Sequence, residues 1–345
     1  MKALACFATL ILAVTACGPA ESSADGSAGP SATDGAPAES PVVEGTIRVA
    51  LGDIESVETL ALFIAVERVR ERGIDVELIE LADEDLANQA VVGGQADIGL
   101  GAPYGLIQEL DAPVRIFCRL ATAAFFPVVD KELYPDWQAL DGETLTVHSR
   151  ASGTEAIARL IEQVEGIEFG ELSYVPGSEV RATALLQGTV TATILDIPNK
   201  NFVMSEAPDR FHILPIPDIA ATDEALFGNV EWLQENEALA QVLLEEILTV
   251  WRSMVDDPSF VVEERERLGL LTDLPAELEE ELLPYYEQAG EEGLFSTDCG
   301  GSEAAQDDFE FYTVAGTLVG EPEDLVVEDF WYLAPSERAL ESLGD

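Results

Sequence analysis

From residue 46 the chain alternates short apolar runs with stretches whose apolar residues recur at helical spacing. Thr46–Leu51 reads as a strand and runs into the polar loop Gly52-Asp53-Ile54-Glu55-Ser56. Val57, Leu60, Ala61 and Ile64 then share one helical face, with Glu67, Arg68, Arg70 and Glu71 on the other. Gly73 ends that helix and Ile74–Leu81 returns as a strand, a right-handed βαβ unit with a parallel pair. A second helix over Asp85–Val92 stops at Gly93-Gly94, and Ala96–Leu100 is the next strand. Gly101-Ala102-Pro103-Tyr104 forms the loop at its C-terminal end, and Val114–Leu120 and Phe125–Val129 follow as strands.

The same grammar then repeats. Strand Thr144–His148, helix Thr154–Val164 and strand Leu172–Val175 form a unit, followed by helix Glu179–Gln187, Gly188 and strand Thr191–Leu195. Phe211–Ile216 reads as the strand that returns to the first lobe, and three helices follow over 236–255, 258–268 and 275–290. The expected fold is α/β with two lobes, each a parallel-rich sheet with flanking helices, joined by two crossover segments. The first lobe takes 46–129, the second 130–213, and 214–345 returns to the first and adds the C-terminal helices. In such sheets ligands gather at the C-terminal ends of strands.

The N-terminal stretch changes the picture of where this fold works. Residues 1–16 carry one lysine, an apolar run and small residues, the pattern of a signal peptide. Val14-Thr15-Ala16-Cys17 resembles the bacterial lipobox, which implies cleavage before Cys17 and acyl chains on it. Residues 18–45 are Gly, Pro, Ala, Ser, Thr, Asp and Glu with little to bury, so 17–45 reads as a lipidated cysteine on a disordered tether. The expected location is the outer face of a bacterial cell membrane.

Charge changes it again. The formal net charge is -50, from 67 acidic and 17 basic residues, and only Lys2, Lys131 and Lys200 are lysine. Such a surface excludes nucleic acid and adhesion to anionic lipid, and it fits a high-salt solvent that screens self-repulsion. Of four cysteines, Cys6 and Cys17 belong to the N-terminal segment. Cys118 and Cys299 remain, either a disulfide in an oxidising compartment or two separate buried thiols.

The candidate chemistry centres on Ser149-Arg150-Ala151-Ser152-Gly153-Thr154, where hydroxyls and a glycine meet the start of a helix. Unpaired N–H groups there suit an oxyanion, or Ser152 or Thr154 simply caps the helix. His148 and His212 are the only histidines, with no metal-ligand spacing, and no G-x-S-x-G elbow occurs. The expectation is therefore no enzyme, with no cofactor and no metal.

The order of these segments resembles type II solute-binding proteins of ABC importers, in the group binding aliphatic sulfonates, taurine, nitrate and thiamine-pyrimidine precursors. Thr46–Leu51, Gly73–Leu78, Gly94-Gln95-Ala96-Asp97-Ile98-Gly99, Leu140-Asp141-Gly142, Ser152-Gly153-Thr154 and Phe311–Gly316 carry the resemblance. Gly188-Thr189-Val190-Thr191-Ala192 departs from the group's G-x-V-D-A, and Asp53 and Glu55 sit awkwardly beside an anion. The eukaryotic members that make the thiamine pyrimidine use a cysteine-rich iron site that this chain lacks. The resemblance implies a ligand between the lobes, touched by Asp53, Ile54, Glu55, Ser56, Gly101, Ala102, Pro103, Tyr104, Thr122 and Phe125. From the second lobe it implies Ser149, Arg150, Ser152, Gly153, Thr154, Gly177, Ser178, Arg181 and Asp196. Arg150 and Arg181 either meet an anionic head group or pair with surface carboxylates; Tyr104, Phe125 and Phe126 supply an aromatic wall, or Phe125 or Phe126 belongs to the core. Asp196 recognises an amine or ring nitrogen, or starts the turn at Pro198. Closure would hinge near Val128–Lys131 and Leu214–Pro217. The implied partners are a small solute, preferentially an anion such as a sulfonate, and a permease with its ATPase, the chain acting as a monomer. A pyrimidine-type ligand, or service to a membrane sensor, is the alternative.

Overall fold

The computed structural model describes residues 43–52, 57–81, 84–150, 152–217, 220–274 and 276–344. The signal segment, Cys17 and the tether up to Val42, together with Asp53, Ile54, Glu55 and Ser56, lie outside the described residues.

Chain order begins β1 (Thr46–Leu51), α1 (Leu60–Glu71), β2 (Asp75–Glu80), α2 (Glu84–Val92), β3 (Ile98–Leu100), α3 (Tyr104–Leu110), β4 (Val114–Thr122) and β5 (Phe126–Asp130). The second unit is β6 (Thr144–Val147), α4 (Gly153–Glu165), β7 (Glu171–Tyr174), α5 (Ser178–Gln187), β8 (Ala192–Leu195), α6 (Ile197–Glu206) and β9 (Phe211–Ile213). The return comprises β10 (Thr222–Asn229), α7 (Val230–Glu235), α8 (Glu237–Asp256), α9 (Ser259–Leu268), α10 (Ala276–Glu291), α11 (Gly301–Val314), α12 (Val327–Phe330) and α13 (Ala334–Leu343).

Two five-stranded sheets result, ordered β2-β1-β3-β10-β4 and β7-β6-β8-β5-β9. The first three strands of each are parallel, and the fourth is antiparallel to its neighbour in that trio. That fourth strand is supplied from elsewhere in the chain. β5 follows the first unit in sequence but pairs with β8 and β9 in the second sheet, so Phe126–Asp130 belongs to the second lobe. Phe211–Ile213 is likewise an edge strand of the second sheet and does not return to the first. β10 makes that return, and the apolar pattern had not marked it, because it opens on Thr222-Asp223-Glu224.

The crossovers are therefore the short segments before β5 and before β10. They run side by side, Ala123 N donating to Ala221 O at 2.9 Å.

In the first lobe, α1 is buried nearly all round, Leu60 through Val66 without a break, because α8 covers the side away from the sheet. Its remaining polar edge pairs outward, Arg68 with Glu246 at 2.9 Å and Arg72 with Glu245 at 2.8 Å. Asp97 of the Gly94–Gly99 motif is buried and accepts from Arg48 N and Nε at 2.8 and 3.1 Å, tying β3 to β1. Gly99 lets Phe227 of β10 cross the sheet: a Cβ there would stand 2.6 Å from its ring. Cys118 of β4 is disulfide-bonded to Cys299, just before α11, which fastens the C-terminal helices to the sheet. No helix among the described residues is long and apolar enough to cross a membrane.

Candidate functional site

Both sheets point strand ends at a cleft of about 1450 Å³, lined from both lobes and from the C-terminal helices. Of the expected first-lobe residues, Ala102, Pro103 and Phe125 line it. Gly101 does not; its N–H closes onto Ala225 O at 3.0 Å. Tyr104 is a correction. It is fully buried, its hydroxyl donating to Asp308 and accepting from Trp331 Nε1 at 2.8 Å, and its ring packs at a tilt against that of Tyr312, centroids 4.9 Å apart. An aromatic whose hydroxyl finds partners in the core stays there. Thr122 is also off the cleft, its hydroxyl held by the carbonyl groups of Gly293 and Leu294 at 3.4 Å each.

All of the expected second-lobe residues line the cleft. The hydroxyls of Ser152 and Thr154, however, are engaged locally. Ser152 Oγ donates to Ser149 O at 2.8 Å and accepts from Glu155 N at 3.3 Å, capping α4. Thr154 Oγ1 accepts from His148 N at 2.9 Å and is buried. These two hydroxyls tie the loop together, and that of Ser152 is the cap of the helix. Arg150 is exposed, its guanidinium 4.7 Å above the Tyr174 ring.

Arg181 is different. It is 1 % exposed, yet it reaches the cleft wall, and among the described residues it makes no ion pair. Nε and Nη2 donate to Ile194 O at 3.2 and 3.1 Å, and Nη1 to Val175 O at 2.9 Å. Nη1 also faces His148 Nδ1 at 3.4 Å, and that nitrogen accepts from Gly177 N at 3.3 Å. Burial pushes the guanidinium down to about 10, against the pull of Asp196 and Glu179 farther off. A buried cation held by neutral carbonyl groups retains most of its field. The open N-terminus of α5 begins beside it at Gly177, without a side-chain cap. Ser178 Oγ is turned to Asp196 N at 3.3 Å. Asp196 caps α6, accepting from Asn199 N at 3.0 Å and from Asn199 Nδ2 at 2.9 and 3.2 Å, the turn-starting role.

The sequence reading missed several lining residues: Glu58 and Thr59 ahead of α1, Asn88 and Gln89 on α2, Asp223 on β10, and Tyr285 and Phe295. Only the tertiary fold brings α10 and β10 to this cleft. Among the described residues no group of His, Cys, Asp and Glu has a metal-holding arrangement.

A family model described as NMT1/THI5 like matches residues 65–260. No curated protein matches the chain in sequence. Among solved structures, the chain is similar to the periplasmic nitrate-binding protein NrtA from Synechocystis PCC 6803, with TM-score 0.63, 14 % identity, and 87 % of this chain and 89 % of that one covered. It is similar to a putative periplasmic sulfonate-binding protein SsuA from Methylobacillus flagellatus KT, with TM-score 0.61, 18 % identity and coverage of 86 % and 94 %. The aliphatic sulphonate binding protein SsuA from Escherichia coli gives TM-score 0.57, 14 % identity and coverage of 83 % and 92 %.

Proposed function

This chain belongs to the NMT1/THI5-like family, and from that premise we propose that it is an extracytoplasmic, lipid-anchored solute receptor. It captures a small solute between its lobes and delivers it to an ABC permease. Cys17 carries the anchor and the segment from residue 18 to Val42 the tether, since Val43 already packs on the folded unit. The solute bears an acid group, as sulfonates and nitrate do. The observation that carries this reading is Arg181, a buried guanidinium without a carboxylate partner among the described residues, at the wall of the cleft beside the start of α5. An acid group there gains a charge-assisted hydrogen bond and the partial positive charge of the helix start. The heterocycle reading leaned on Asp196, whose oxygens Asn199 occupies. A sensor role uses the same cleft and is separated from transport by the genes that lie beside this one.

The test is thermal unfolding of the full chain in high salt, with sulfonates, nitrate, carboxylates and pyrimidines as probes. A ligand at a hundred times its dissociation constant stabilises by about 2.7 kcal/mol. Arg181→Gln keeps donors for the carbonyl groups of Val175 and Ile194 and removes the charge. It should weaken the stabilising anion by about tenfold or more. A shift with pyrimidines alone, or one that survives Arg181→Gln undiminished, rejects the acid-group reading.

A further inference from the structure

The start of α4 would ordinarily offer a second anion seat in this cleft, yet a carboxylate of the chain itself stands against it. Gly153 is the first residue of α4, in the second lobe, and a Cβ built on it would lie 3.2 Å from Asp223 Oδ1 and 3.7 Å from Phe125 Cε2. Asp223 comes from the opposite lobe, at the second position of β10. It is not on a loose arm. The preceding Thr222 is buried and clamped to buried Asp308 through its N–H at 2.6 Å and its hydroxyl at 2.7 Å, and its carbonyl accepts from Tyr312 at 2.9 Å. The pairing of β10 with β4 shifts register directly after Thr222, and in that irregular stretch Asp223, with Glu224 beside it, lines the cleft. Acidic influence here reaches beyond one contact. The Tyr285 hydroxyl is held well above its ordinary range, first by burial and then by Glu58, Tyr286, Asp196 and Asp223, which places carboxylates of both lobes around the same wall.

We propose that Asp223 is the specificity-determining residue of the cleft: its carboxylate excludes an anionic group from the first turn of α4 and selects a ligand that brings an N–H donor or a cationic nitrogen there. The inference rests on the reading that the ligand's acid group faces Arg181, and it adds what the other end of that ligand must be. A helix start that already holds a negative charge gains nothing from a second one, and like charges at contact distance in a partly dry cleft repel strongly. A donor on the ligand, by contrast, would be received by a carboxylate fixed from behind. Selection then works through the penalty on the wrong partner as much as through attraction to the right one.

Two probes differing by one amine, propanesulfonate and aminopropanesulfonate, decide the matter by calorimetric titration of the full chain at one fixed high ionic strength. The wild-type protein should bind the amine-bearing probe about tenfold more tightly or better. Asp223→Asn should bring the two within about threefold, by gaining affinity for propanesulfonate and losing it for the amine. Asp223→Ser provides the same reading should the amide disturb β10, and the wild-type ratio needs no variant. A preference that Asp223→Asn leaves intact, or a wild-type preference for propanesulfonate, overturns the proposal while leaving the acid-group reading standing. Absence of binding by either probe to the wild-type chain overturns both.

Discussion

Asp308 shows how a single buried side chain sets the geometry that the cleft depends on. It is fully buried, accepts from Thr222 twice and from Tyr104, and holds the start of β10 where Asp223 enters the cleft. Burial raises its carboxyl from 3.8 to about 6, against those hydrogen bonds, which pull it down. The folded state therefore holds this proton more tightly than the unfolded chain does. Its contribution to stability is fully present below pH 3.8 and is lost as pH rises through about 6. Asp308→Asn removes that titration. Denaturant unfolding from pH 4 to 7 should show the wild-type advantage over the variant shrinking with rising pH; a constant difference would remove Asp308 as the titrating group. At this scale Tyr104 carries a lesson too. Beside a glycine loop at a strand end it reads as a ligand contact, but nothing in its neighbours in sequence announces the carboxylate on α11 that claims its hydroxyl.

At the scale of elements, the helices and parallel strands were legible because each has a burial pattern of its own. α4 follows its predicted span, with Ser152 as its cap and Gly166 closing it in the left-handed region. β10 was illegible for a functional reason. Its polar residues Asp223 and Glu224 face the cleft, and only Ala225–Gly228 reads as strand. β5 and β9 were visible as strands, but an apolar run does not state which sheet it joins. The disulfide acts between elements as well, closing a loop of 181 residues between β4 and the start of α11. Replacing Cys118 and Cys299 together by Ala should destabilise the chain by about 2–5 kcal/mol, seen as a lower denaturant midpoint under oxidising conditions. An unchanged midpoint would show that the helices hold to the sheet without it.

Across the whole molecule, two terms compete. The acidic excess repels itself, and the few bases are used as bridges: Arg267 joins Glu71 to Glu264, and Arg68 and Arg72 join α1 to α8. Because acidic residues outnumber basic ones 67 to 17, repulsion outweighs the ion pairs that salt would also weaken. At 1 M salt the screening length falls to about 3 Å. The melting temperature of the full chain should thus rise from low to molar salt; a fall would mean that the ion pairs dominate and that the surface is no adaptation to brine. The lobes also touch on either side of the cleft, Lys200 to Glu292 at 3.9 Å and Gln163 to Val314 O. Such contacts, with the paired crossovers, are what a closing motion would make and break.

The sequence by itself determined the two-lobed α/β plan, the repeat of its βαβ grammar, the loops that face the cleft from the second lobe, and the acidity of the surface. These are written in local periodicity and composition, which each segment satisfies alone. Only the tertiary structure decided which strand joins which sheet, that Tyr104 is core, that Arg181 is a buried cation, and that Asp223 crosses to the start of α4. Each of those depends on residues tens to hundreds of positions apart. What a side chain does there is set by the partners that folding delivers, and a local pattern does not contain them.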